Sequence, residues 1–211
     1  MESSNATKRP RPRLEQLSDL VFGLALAVGS ISLISKLPKY PGGIVFDIVQ
    51  FGFSFLIVIS VWIGYTSIMS VLPLEDRTFV ILNVLMLFFV SIEPYLFYLN
   101  AVFDMQGFPV LLDAASVAFA LDMAGLMAIL ALFTHQLTVE EKNLIPQNLM
   151  ARYKRIRTGR LLSAALFAFT ILPLFWNVRI LETPLRFYLW VVPLVLPSIV
   201  EVAATERTTG K

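Results

Sequence analysis

The chain has 211 residues, 57% of them hydrophobic and only 15% charged, with a mean hydropathy of +0.74. A soluble domain carries nearer a quarter of its residues as charges, so the solvent for most of these side chains must be lipid. With no cysteine and a single histidine, His135, a disulfide framework, thiolate chemistry, cysteine metal sites and imidazole-based triads lose their candidates. The net charge of +2 includes nothing like a basic nucleic-acid stripe.

A helix needs about 20 mostly apolar residues to cross a bilayer, and open strands would leave backbone polar groups unsatisfied there. The pattern therefore predicts an all-α membrane protein with six transmembrane helices, treated as one domain over residues 1–211. The first predicted span covers residues 17–35. In it Leu17, Val21, Leu24, Val28, Ile31 and Ser35 recur at alternating spacings of four and three. At about 100° per residue, Leu24, Val28, Ile31 and Ser35 share one narrow stripe, with Ser18 and Asp19 pointing elsewhere. Gly23, Ala25, Ala27, Gly29 and Ser30 supply small flanks that permit close helix approach. From periodicity alone this seam reads as ordinary helix packing or as the lining of a pore.

Pro38, Pro41, Gly42 and Gly43 separate that span from the second, at 44–72, and Pro73 separates the second from the third, at 78–100. Gly107 and Pro109 mark the start of the fourth, at 108–134. The segment 135–159 is not lipid-like. Thr138 followed by Glu141 fits a capping box that would open a helix, and the basic run from Arg152 to Arg160 fits a surface resting on anionic headgroups. The fifth span is expected at 160–177 and the sixth at 185–203, where Pro193 and Pro197 predict a kink or a re-entrant course. Ionisable residues inside spans are costly and so are functional candidates. Asp19, Asp47, Glu93, Asp122 and Glu201 are of this kind, the second and last lying close to span ends.

Lysine and arginine set the orientation. Thirteen fall in the N-terminal segment, the loop after span two, the loop after span four and the C-terminus; four, Lys36, Lys39, Arg179 and Arg186, fall on the other side. Both termini are therefore expected in the cytoplasm, an even number of spans requiring that they share a side, and the cell membrane is the expected location.

Several of these residues resemble a known pattern. Arg13-Leu14-Glu15-Gln16-Leu17-Ser18-Asp19 is similar to the R-x-x-x-F-S-D signature that opens the first helix of the transmembrane protein 175 family of potassium channels, in the prokaryotic type with one six-helix repeat. Leu17 stands in place of its phenylalanine. Ser54-Phe55 and Trp62-Ile63-Gly64-Tyr65 resemble the second helix, whose W-x-x-H has lost its histidine to Tyr65. Leu82-Asn83, followed by Leu85, Leu87 and Pro94, resembles the third. By motif the resemblance covers about residues 13–100, and beyond them only the number and character of helices match.

The resemblance implies a potassium-permeable channel, not an enzyme, assembled as a homotetramer in the lipid bilayer with four first helices lining a central pore. Its partners would be potassium ions, and no cofactor or bound metal is implied. The constriction would fall at Leu24, with Val28 and Ile31 as further apolar layers and Ser35 at the pore mouth. Ser18, Asp19, Trp62, Tyr65, Asn83 and Arg13 would form the polar network that fixes the first helix. The chain has no TVGYG-like carbonyl filter, so discrimination would rest on hydrophobic rings. The competing reading is a proton-coupled or small-solute secondary transporter using Glu93 and Asp122, although such proteins often carry internal repeats and the two halves here show none.

Overall fold

The structure, a computed structural model, describes residues 13–35, 41–71, 77–106, 108–139, 144–180 and 183–194. Five long helices come first: α1 (Arg13–Ser35), α2 (Pro41–Met69), α3 (Arg77–Gln106), α4 (Pro109–Leu137) and α5 (Gln147–Phe169). A short helix α6 (Leu174–Asn177), an antiparallel ladder of β1 (Arg179–Ile180) with β2 (Thr183–Pro184), and α7 (Leu185–Leu189) follow. The fold is thus mostly helical, with one short antiparallel ladder among the described residues. Among the described residues, α1 to α4 contain the four stretches long and apolar enough to cross a membrane.

The fifth helix differs from its predicted span at both ends. It begins at Gln147, so the basic run from Arg152 to Arg160 lies on the same helix as the start of the predicted span. It ends at Phe169, short of residue 177, because Pro173 has no N–H to continue the ladder and disfavours α geometry at the residue before it. The backbone tightens there, with Ile171 donating to Ala168 and Leu172 to Phe169. Thr138 also departs from expectation: it caps the end of α4, its hydroxyl donating to the His135 carbonyl, and opens no helix. Glu141 and Glu201 lie outside the described residues, as do residues 195–203 of the sixth predicted span. The described part of that span is a shorter apolar stretch, Leu185–Leu194, interrupted by a turn at Trp190.

The core forms around α4, which packs against α3 on one side and α5 on another, while α1 packs on α3 and α2. Phe119, Met123, Leu126, Leu130 and Phe133 of α4 meet Met86 and Val90 of α3, Ile57 and Val61 of α2, and Phe167 of α5. Phe79 and Phe133 stack nearly parallel, ring centres 6.0 Å apart. At the level of Phe89, α3 and α4 approach so closely that a side chain at Gly125 would come within 3.0 Å of the ring. By contrast, α1 is mostly open along its length, and this sets up the site.

Candidate functional site: the first helix and its polar anchor

One face of α1 is buried and the other is bare. Ser18, Phe22, Ala25 and Gly29, spaced by four and three, turn inward. Phe22 lies 5.9 Å from the Tyr65 ring, and Gly29 lets α1 close on Phe51 of α2 and Pro94 of α3. The buried face carries the polar residues. Ser18, 0% exposed, donates its hydroxyl to the Leu14 carbonyl at 2.8 Å. The same oxygen accepts from Tyr65 Oη at 2.9 Å and from Asn83 Nδ2 at 3.1 Å. A hydroxyl has one proton and two lone pairs, so this arrangement uses its full capacity and ties α1, α2 and α3 at one atom. One residue on, Trp62 Nε1 donates to Asp19 Oδ1 at 3.0 Å. Arg13 is exposed on the first turn of α1, apart from these bonds.

The bare face is apolar. Leu17, Leu20, Leu24, Val28 and Ile31 are all exposed, Leu24 to 61%, with exposed Gly23 and Ala27 beside it. Among the described residues, nothing beyond its own helix backbone lies within 4 Å of where a Gly23 side chain would begin. The stripe differs from the sequence pattern in its first turns. Val21 is half-buried against the core and Leu20 takes its place outside. Ser35 ends α1, but its side chain is outside the described residues.

Behind the network sits a residue that sequence reasoning counted only as a loop charge. Arg160 of α5 is buried, donating from Nη1 to Thr134 Oγ1 at 2.6 Å and to the Leu130 carbonyl at 3.1 Å. Its Nη2 donates to the Gly64 carbonyl at 3.4 Å. A Cβ at position 64 would stand 2.9 Å from that nitrogen, so glycine makes room for the guanidinium. Gly64 lies two residues after Trp62 and one before Tyr65, and Arg160 therefore braces the turn of α2 that holds α1. The signal available in sequence was its position: it opens the apolar half of α5, one residue after Gly159.

The two carboxylates of the transporter reading are both enclosed. Glu93 is fully buried and accepts from Ser54 Oγ at 3.3 and 3.2 Å. Asp122 is buried on α4, and among the described residues nothing donates to either of its oxygens. Asn100 and Ser116, joined at 2.5 Å, set the antiparallel register of α3 and α4 that brings these two acids to the same level. They lie inside the bundle, off the bare stripe of α1. Asp47 is half-buried near the start of α2.

Comparison with known proteins agrees with the resemblance read from the motifs. Residues 13–94 match the family described as Endosomal/lysosomal potassium channel TMEM175. Among curated proteins none matches the chain. Among solved structures the chain is similar to a point variant of the potassium channel MtTMEM175, crystallised in complex with a Nanobody-MBP fusion protein. The TM-score is 0.64 at 17% identity, over 96% of this chain and 95% of that one. At this identity the likeness speaks for the fold.

Proposed function

We propose that this chain, whose residues 13–94 match the family described as Endosomal/lysosomal potassium channel TMEM175, is a potassium-permeable cation channel of six membrane spans, with both termini in the cytoplasm. The observation that carries this reading is the bare apolar stripe of α1, turned away from a buried network that fixes the helix's rotation. Four subunits with α1 at the axis would stack Leu24, Val28 and Ile31 as rings, with Leu24 narrowest and Ser35 at the mouth. Such rings offer an ion no oxygen to replace its water. They act by dewetting and by the cost of partial dehydration, which is lower for potassium than for the smaller, more tightly hydrated sodium ion. Selectivity on that basis is modest. Ser18, Asp19, Trp62, Tyr65 and Asn83 contribute as anchors, and Arg13 borders them at the cytoplasmic edge. Glu93 and Asp122, which a coupled transporter would use, take no part in permeation.

Leu24→Ala and Leu24→Asn test the reading in reconstituted protein. Both widen or wet the ring, so conductance should rise and the potassium-to-sodium permeability ratio should fall. Truncating a packed leucine commonly costs about 2–5 kcal/mol, whereas Leu24, 61% exposed in the subunit, should lose well under that. A strongly destabilised Leu24→Ala with unchanged ion flux would return the stripe to subunit packing.

A further inference from the structure

At the end of the bundle where α4 begins, two buried donors have no acceptor among the described residues. Arg186, the second residue of α7, is 1% exposed. Its Nη1 donates to Asp113 Oδ1 of α4 at 2.8 Å. Its guanidinium lies 5.8 Å from the ring centre of Trp176 in α6 and 5.6 Å from that of Phe187. Among the described residues, no acceptor meets the buried Nε of Arg186 or the buried indole Nε1 of Trp176. Buried donors are rarely left unpaired, and those on charged groups least of all.

The arrangement is selective for what could fill it. Two aromatic rings fix the position of the guanidinium, and Asp113 holds one of its nitrogens. The edge that carries Nε is thereby preorganised for oxygens lying in its plane, the geometry in which arginine meets phosphate. Asp113 is 34% exposed while Arg186 is enclosed, so water screens the carboxylate more than the cation. The free edge keeps net positive character. Its depth also fits. Trp176 and Arg186 flank the hairpin and Asp113 lies near the start of α4, so a bundle that spans a membrane would hold them near its interface, where tryptophans gather and lipid phosphates lie.

The geometry points to a phosphate-binding site formed by Arg186 and Trp176, taking the phosphate oxygens of a lipid headgroup or of a free phosphate. It is separate from the α1 stripe and does not depend on the channel reading.

The test uses the full chain in a phosphate-free neutral detergent. It is titrated with phosphatidylcholine, with diacylglycerol of the same acyl chains, and with inorganic phosphate, while the melting temperature is read. A rise with phosphatidylcholine but not with diacylglycerol identifies a lipid phosphate as the ligand. A rise with inorganic phosphate alone identifies a soluble anion at the same site. Trp176→Phe keeps the ring and removes only the N–H, and it should weaken the phosphate-dependent shift about tenfold in apparent affinity, the worth of one charge-assisted hydrogen bond. Arg186→Lys keeps a cation for Asp113 but loses the fork, and it should weaken the shift at least as much. Should the lysine variant fail to fold, Trp176→Phe decides alone. Equal shifts with phosphatidylcholine and diacylglycerol, with inorganic phosphate inert, overturn the proposal. So does a phosphate-dependent shift that Trp176→Phe leaves unchanged.

Discussion

Ser18→Ala removes one oxygen on which three hydrogen bonds converge, and the structure sets the size of the effect. Tyr65 Oη at 2.9 Å and Asn83 Nδ2 at 3.1 Å both lose their acceptor in a place that is 0% exposed. An orphaned buried donor costs about 1–3 kcal/mol. Interhelical hydrogen bonds within membranes sit lower, averaging about 0.6 and reaching about 1.7 kcal/mol, because the unfolded chain also finds partners there. Two such donors together give about 1–3 kcal/mol. Tyr65→Phe is a different perturbation. It removes a donor and leaves Ser18 still bonded to Leu14 and Asn83, so its cost should be about 1 kcal/mol or less. In Ser18→Ala/Tyr65→Phe the orphaned hydroxyl is gone, so the double variant should be no less stable than Ser18→Ala alone. Reversible unfolding in mixed micelles, run on the four proteins of this cycle, gives the coupling energy directly. If Tyr65→Phe is as damaging as Ser18→Ala and the two effects add, the serine is not the shared acceptor and the anchor is wrongly drawn.

Asp19→Asn keeps an oxygen for Trp62 Nε1, now 3.0 Å from Asp19 Oδ1, but loses the charge that strengthens the bond. Oligomer yield on size exclusion and melting temperature should drop more than the potassium-to-sodium reversal potential moves. Normal assembly with a sharply altered ion preference would place Asp19 in the pore. Thr134→Val deprives buried Arg160 of the hydroxyl it meets at 2.6 Å and should cost about 1.5–3 kcal/mol in the same unfolding assay, the range for bonds to charged groups. Arg160→Met should cost less than Thr134→Val, since it removes the buried charge together with its needs; the reverse order would mean that the guanidinium does more than brace. Single cysteines at 5, 105 and 208, in a chain that has none of its own, test the topology: 105 should react from outside and the other two from the cytoplasm.

Much of the arrangement around α1 was legible because polar residues are rare in lipid and their spacing stands out. Ser18, Asp19, Trp62, Tyr65 and Asn83 could be singled out by type and position, and the structure joins Tyr65 and Asn83 to Ser18 and Trp62 to Asp19. That Tyr65 stands where the resembled motif carries histidine was no obstacle, since a phenol can also donate to a hydroxyl. What could not be read was which cations are buried. Arg160 and Arg186 were both counted as loop charges, because orientation rules register a basic residue near a span end regardless of its contacts. Burial depends on a cavity made by distant residues: Gly64, Leu130 and Thr134 for the one, Trp176, Phe187 and Asp113 for the other. The position of Val21 was lost for a similar reason. Val21 and Leu20 are both apolar, and only the rotation imposed by Ser18 decides which of them faces the core. The early start of α5 escaped because hydropathy marks the lipid-crossing part of a helix and not its polar continuation.

The subunit distributes its means of stabilisation unevenly. Helix α4 is mostly buried, held by Phe119, Met123, Leu126 and Phe133 against α2, α3 and α5, and packing alone can set its rotation. Helix α1 has little of its surface covered, so apolar contacts within the subunit leave its rotation weakly determined. Yet α1 receives directional bonds from two other helices at Ser18 and one more at Asp19. Hydrogen bonds constrain an angle where burial does not, and one residue's worth of turn, about 100°, would take Leu24 off the face that Val28 and Ile31 share. The exposed faces of α2 and α3 are built differently. Ile44, Val45, Ile48, Val49, Val80, Ile81, Val84 and Leu85 present bulky apolar surface, well matched to lipid tails. The stripe of α1 instead interleaves Leu24 with Gly23 and Ala27, which suits close approach by another helix more than it suits lipid. A helix poorly covered by its own subunit, held in rotation by costly polar bonds and cut back for near neighbours is consistent with a role set between subunits. On that reading the anchor and the stripe are one device, and loosening Ser18 should blur ion discrimination even where the oligomer survives.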